Sequence, residues 1–378
     1  MKKYLIHIAV FLLMLTPASH AAYIDTDAEV AVVIDGHTGK VLFSKDKDKK
    51  TYPASMTKIM TTLIIFEKLA NETLSLDDKF LVSEKAWRER EGSSMFVEVD
   101  KEIRVEDLLR GIIVQSGNDA CIVVAENIAG TEESFAKMMT QKAKEIGMKN
   151  TNFTNSTGMY DKDNYSTVYD IALLSMHLIN EYPQYYHLFA ETEFEWSGIK
   201  QNNRNSLLYK NMGVDGLKTG HLSKSGYGLA ASAVDQNRRV ISVVNGFEST
   251  QKRTQGSSRL ITWAFREFTN LKLFEKDDIV GQVEISGASN KESDVSTGEE
   301  IIITVPKSKR DGLTTNIVVD DNISAPLNAG DKVGYLEISV PGEENQTYEL
   351  YATNEIDRSN IFVRFFNYLI NLILSLFN

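Results

Sequence analysis

The strongest constraint on the fold is a change of apolar period along the chain: two-residue alternation near its start, helical spacing through the middle, and alternation again after Gly226. The run VAVVID, the turn Gly36 to Gly39 and the run KVLF predict an antiparallel hairpin within Glu29 to Phe43. Pro53 presets a helical first turn; Met56, Ile59, Met60, Leu63 and Ile64 follow at helical intervals, and Phe66, Leu69 and Ala70 extend them. Leu108 to Ala129 is a second helical region, broken around Ser116-Gly117-Asn118, and Phe135 to Ile146 and Thr167 to Ile179 are further helices. GLAASAV and VISVVNG, between Gly226 and Gly246 and parted by the polar turn Asp235 to Arg239, read as strands, with a closing helix over Leu260 to Phe268. A hairpin first, helices between and strands last call for an α+β domain whose antiparallel sheet draws on both ends.

After about Lys276 the pattern changes to short alternating runs (VEI, EIIITV, TNIVV, KVGYLEI, TYELYA) separated by Gly, Asn, Asp and Pro, which predict a small all-β domain. From Ile361 to Asn378 polar residues recur three or four apart among Phe, Ile, Leu, Val and Tyr, giving an amphipathic helix suited to lying on a membrane surface. The start combines Lys2 and Lys3, an apolar run from Tyr4 to Leu15 and small residues at Ser19 and Ala21, the pattern of a cleaved export signal. That run is shorter than the roughly 20 residues a spanning helix needs. The expected division is therefore a signal peptide over 1–21, an α+β domain over 22–275, a β-rich domain over 276–356 and an anchoring helix over 357–378, in an exported protein peripheral to the outer face of the cytoplasmic membrane.

The net charge of −11, from 52 acidic and 41 basic residues, provides no broad basic surface, so nucleic acid is not an expected partner. A single cysteine, Cys121, excludes an intramolecular disulfide, and six histidines without ligand-like spacing give no reason to expect a metal or other cofactor.

Chemistry is carried by three short elements. Ser-x-x-Lys occurs five times, beginning at Ser44, Ser55, Ser134, Ser197 and Ser249, so the tetrad alone selects nothing. Ser55 alone follows a proline and opens an apolar helix, which places its hydroxyl at the helix start and Lys58 on the same face. A serine hydroxyl needs a base, and a lysine can serve only when desolvation or a second cation leaves it partly neutral. Lys218, in Lys218-Thr219-Gly220, is the second cation: its ammonium and the Thr219 hydroxyl can hold a carboxylate, and Gly220 lets the backbone lie close to a ligand. The third element is Ser116-Gly117-Asn118, where Ser116 could relay a proton to a leaving group and Asn118 could bond a substrate amide. Ser55, Ser116 and Lys218 fall in the order that marks class A β-lactamases and penicillin-binding proteins.

The segments PASMTKIMTTLIIFEKL, GSSMFVEV, VEDLLRGIIVQSGNDACIVVAENIAG, MKNTNFTNSTGM, the YSTVYDIALL run, QNNRNSLLY and VDGLKTGH resemble the D-alanyl-D-alanine carboxypeptidases, the low-molecular-mass penicillin-binding proteins, from about Ala22 to the end. The resemblance implies a serine β-lactamase/transpeptidase-like domain in which Ser55 attacks the carbonyl between the terminal D-alanines of a peptidoglycan stem peptide. Lys58 would be the base, and water would then release the acyl group. It also implies an oxyanion hole from the backbone N–H groups of Ser55 and His221, a carboxylate site at Thr219 and Arg253, a contribution from Arg204 in the NRN segment, and covalent inhibition by β-lactams.

Two positions depart from the family pattern: Leu222 stands where it has Thr, and Asn164 where it has His before Tyr-Ser-Thr. The absence of an E-x-x-L-N segment between the second and third elements argues against a true β-lactamase. Transpeptidase or endopeptidase action on cross-links is the alternative chemistry, and a catalytically silent wall-binding scaffold the alternative outside enzymes.

Overall fold

The computed structural model describes residues 23–88, 91–289 and 292–359. The export signal and the helix expected from Ile361 to Asn378 lie outside them. The described chain divides into two compact units: one of Ile24–Leu273 with Ile301–Thr304, the other drawn from the residues between Phe274 and Glu300 and from Val305 onward.

In the first unit, β1 (Val30–Asp35) and β2 (Val41–Lys45) form the expected hairpin. A turn of 3-10 helix, Ala54–Thr57, leads into α1 (Lys58–Ala70), followed by β3 (Lys79–Leu81), α2 (Glu84–Arg88) and β4 (Glu102–Arg104). The helical middle is α3 (Val105–Ile113), α4 (Asn118–Ala129), α5 (Glu132–Glu145), α6 (Val168–Glu181) and α7 (Pro183–Tyr186). A small hairpin, β5 (Glu193–Trp196) and β6 (Ile199–Asn202), precedes β7 (Val214–Leu222), β8 (Gly226–Asp235), β9 (Arg238–Phe247) and α8 (Thr250–Glu267).

The main sheet runs β2-β1-β9-β8-β7 and is antiparallel throughout, so strands from both ends of the unit meet at the β1–β9 ladder. VAVVID is apolar at both parities because β1 is buried on both faces. Val30, Val32 and Ile34 join the main core with residues of α1, α3, α4 and α6. α8 packs on β1, β8 and β9 as well. Helix α1 is apolar almost all round, and ten of its residues from Lys58 to Leu69 are buried, as expected of a helix enclosed by others.

Two elements differ from the sequence reading. The closing helix begins at Thr250, ten residues before Leu260, because the Ser249 side chain caps it by accepting from the Lys252 N–H and its first turns are polar. Lys218-Thr219-Gly220 lies within a strand, β7, whose two glycines and lysine obscure its alternation.

The chain continues through β10 (Phe268–Phe274), β11 (Ile279–Val283), β12 (Ser293–Ser296), β13 (Ile301–Pro306), β14 (Thr314–Val319), β15 (Lys332–Ser339) and β16 (Gln346–Ala352). The second unit is built on an antiparallel sheet ordered β11-β12-β16-β15-β14, the all-β domain its short alternating runs predict.

Candidate active site

Ser55 sits in the 3-10 turn and Lys58 is the first residue of α1. Because that helix is enclosed, Lys58 is 0% exposed although it is a lysine. Its Nζ lies 3.3 Å from Ser55 Oγ, 2.7 Å from Asn118 Oδ1 and 2.6 Å from the Thr157 carbonyl. Burial pulls the Lys58 pKa down, and Arg204 adds to the effect.

The partners of Lys58 are themselves fixed by local sequence. Asn155 Oδ1 accepts from the Thr157 N–H, the Thr157 hydroxyl and the Gly158 N–H, an Asx-type turn that presents the Thr157 carbonyl. The Ser156 hydroxyl donates to Glu132 Oε1, while its carbonyl accepts from the Thr61 hydroxyl of α1. Gly158, at φ +81°, lies so close to this turn that a Cβ there would stand 1.9 Å from the Ala54 carbonyl oxygen.

Ser116 occupies the break between α3 and α4 with φ +61° and is buried. The first residue of α4, Asn118, has both ends of its amide engaged by the protein: Oδ1 accepts from Lys58, and Nδ2 donates to the Glu91 carbonyl at 2.8 Å. It thus ties Lys58 to the Glu91 carbonyl, and the second N–H of its Nδ2 has no partner among the described residues. Its neighbour Asp119 accepts from the N–H groups of Met95, Phe96 and Val97 and from the Ser94 hydroxyl, ordering the loop whose Ser93 carbonyl accepts the Asn118 N–H.

The third element arrives on β7, an edge strand of the main sheet. A Cβ at Gly220 would lie 2.7 Å from the Pro53 carbonyl oxygen and 3.2 Å from Ala54 Cβ, so this strand lies directly against the turn that carries Ser55. Lys218, two residues away, shares the face of Gly220. Lys218 is 3% exposed, and burial holds its pKa well below the usual lysine range, with Lys58, Arg204 and Arg253 lowering it further.

Thr219 is buried and His221 exposed on the same strand, the His221 ring stacking on Tyr227 with centroids 3.9 Å apart. Arg253, in the first turns of α8, donates to the Arg204 carbonyl at 3.4 Å. Burial brings its guanidinium down to about 10, still charged at neutral pH, and its Nε–H is buried without a partner among the described residues. Arg204 reaches out to the Ser93 hydroxyl. Of the departures, Asn164 is buried and accepts from the Thr154 N–H, while Leu222 ends β7.

The structure thus brings Ser55, Lys58 and Asn118 into direct contact, sets β7 with Lys218, Thr219, Gly220 and His221 beside them, and joins Arg253 to Arg204. The Thr157 carbonyl, the Asn155 turn and Asp119 were not singled out in the sequence. The short motif Asn155-Ser156-Thr157-Gly158 carried a signal for the turn, whereas a backbone carbonyl has none of its own.

A profile of the D-alanyl-D-alanine carboxypeptidases matches residues 16–249. The chain belongs to this family. A second profile, the C-terminal domain of penicillin-binding protein 5, matches residues 268–358. Among the carboxypeptidases, the chain is 33% identical over 356 residues to D-alanyl-D-alanine carboxypeptidase DacA of Haemophilus influenzae, covering 93% of this chain and 91% of the relative. It superposes on the crystal structure of penicillin-binding protein 5 from the same organism with a TM-score of 0.84 at 32% identity, covering 90% of this chain and 100% of that one. Penicillin-binding protein D2 of Listeria monocytogenes, solved in an ampicillin-bound form, matches with a TM-score of 0.59 at 29% identity, over 64% of this chain and 99% of its own.

Proposed function

We propose that this carboxypeptidase removes the terminal D-alanine of peptidoglycan stem peptides through an acyl-enzyme on Ser55, with Lys58 as base. The observation that carries the reading is the environment of the Lys58 nitrogen. A neutral amine has two N–H bonds and one lone pair. Asn118 Oδ1 and the Thr157 carbonyl accept the two N–H bonds, which leaves the lone pair toward Ser55 Oγ, 3.3 Å away. Burial of Lys58, with the Arg204 cation adding to it, favours that neutral form.

In this scheme the Ser55 hydroxyl gives its proton to Lys58 as Oγ attacks the carbonyl between the two D-alanines. The oxyanion is met by the backbone N–H groups of Ser55 and His221. Ser116 passes a proton to the departing amine, D-alanine leaves, and water hydrolyses the acyl group. The substrate's terminal carboxylate lies with Thr219 and Lys218, with Arg253 and Arg204 supplying charge. β-Lactams acylate the same serine. Purified protein incubated with a labelled penicillin gives a covalent adduct mapping to Ser55 and lost in Ser55→Ala; failure to find it overturns the reading. Release of D-alanine from a pentapeptide, with no cleavage of a cross-linked dimer, separates carboxypeptidase from endopeptidase action.

We further propose that residues 1–21 direct export and that 357–378 hold the enzyme at the outer face of the cytoplasmic membrane. Among the described residues no helix is long and apolar enough to cross a membrane. Protein lacking Ile361 to Asn378 is expected to leave the membrane fraction with full activity; continued sedimentation with membranes would count against the anchor.

A further inference from the structure

The direction in which a substrate lies along β7 follows from the proposed chemistry. Its carboxylate belongs at Lys218 and Thr219 and its reacting carbonyl at the His221 N–H, so the acyl portion runs on past Leu222 toward the turn that joins β7 to β8. That turn carries Lys224. Its Nζ donates to the Tyr160 hydroxyl at 2.7 Å and stands 4.0 Å from the centroid of the same ring. Tyr160 is 44% exposed and meets Tyr52 edge-on, with centroids 5.1 Å apart.

Two of these side chains come from segments at the Ser55 turn. Tyr52 precedes Ser55 by three residues, and Tyr160 follows Gly158, which touches the Ala54 carbonyl. No described carboxylate forms an ion pair with Lys224; its pKa is raised chiefly by the hydrogen bond to Tyr160, with Tyr52 contributing. An ammonium fixed by a tyrosine, without an acidic partner, at the point where the acyl chain leaves the cleft, is suited to receive an anion from the substrate.

We propose that Lys224, held by Tyr160 and backed by Tyr52, is a specificity subsite for a free carboxylate on the side chain of the residue that precedes D-alanyl-D-alanine. This rests on the acyl-enzyme reading above. The subsite distinguishes stems bearing an acidic side chain there from those whose side chain is neutral or amidated.

The test uses two peptides that differ only in that group, one with a free side-chain carboxylate and one with the corresponding amide, assayed for D-alanine release by the full chain and by Lys224→Met and Lys224→Glu. Wild-type enzyme is expected to favour the carboxylate peptide by about tenfold or more in kcat/KM, Lys224→Met to remove the preference, and Lys224→Glu to reverse it. Cleavage of the amide peptide and the rate of Ser55 acylation by penicillin serve as internal standards, and both are expected to stay within about twofold across the three proteins. Equal preference in wild type and Lys224→Met overturns the subsite while leaving the acyl-enzyme reading intact. Loss of the penicillin adduct in wild type overturns the acyl-enzyme reading, and the subsite with it.

Discussion

Replacing Asn118 by Asp tests whether Lys58 is the base. The change puts a carboxylate where Asn118 Oδ1 now lies, 2.7 Å from Lys58 Nζ. With the charges centred about 4 Å apart and an effective dielectric near 20, the attraction is about 4 kcal/mol. At about 1.36 kcal/mol per pKa unit, that raises the Lys58 pKa by about three units, less whatever part of the field Lys218 absorbs. A raised lysine pKa means less neutral amine at a given pH, about tenfold less per unit. The second-order rate of acylation by penicillin, measured from about pH 5 to 10, should therefore fall by about a hundredfold or more along the acid limb, where Lys58 is protonated in both proteins. Its rising limb should move to higher pH by about two units and recover toward the wild-type plateau. Asn118→Ala is the control: it also loses the bond to the Glu91 carbonyl but adds no charge, so it lowers the plateau without that displacement. A rising limb at the wild-type position in Asn118→Asp would refute Lys58 as the proton acceptor.

Lys218→Met should abolish acylation yet raise the melting temperature at neutral pH, since it removes a buried cation. The sign follows from linkage: the folded pKa of Lys218 lies below the unfolded one, so the wild-type protein gains stability as pH rises between the two. The advantage of the Met variant in thermal melts should accordingly shrink as pH climbs toward 10.5, the ordinary lysine value. Gly158→Ala adds a Cβ 1.9 Å from the Ala54 carbonyl at a positive φ; a loss of about 2–4 kcal/mol in denaturant unfolding is expected, with acylation reduced as the Thr157 carbonyl is displaced from Lys58. Ser116→Gly relieves the positive φ at the α3–α4 break, so melting should be unchanged or higher, while peptide turnover falls by about 10²–10⁴ if the hydroxyl relays the proton.

Much of the catalytic framework was legible because its signals are periodic or local. VAVVID and VISVVNG announced buried strands, and the apolar run after Pro53 announced the helix that carries Lys58. That same run chose Ser55 among five Ser-x-x-Lys tetrads. β7 was not read as a strand because its glycines serve close approach rather than side-chain packing. The start of α8 was missed because it is set by the Ser249 cap rather than by apolar spacing. The partners of the Lys58 nitrogen could not be assigned either, since Thr157 offers only its backbone carbonyl and lies 99 residues away in sequence.

The enclosure of α1 has a dynamic consequence. The residue that opens the central helix of the core is also the one whose proposed role as base depends on being dry. If Lys58 is the base proposed above, a fluctuation that admits water to the first turn of α1 lets it take up a proton and silences Ser55 before any strand separates. Acylation rate is then a gauge of core integrity more sensitive than a melting curve, and variants that loosen packing around Ile59, Met60 or Leu63, all buried in the core, should register first as a shift in the pH at which the enzyme turns on.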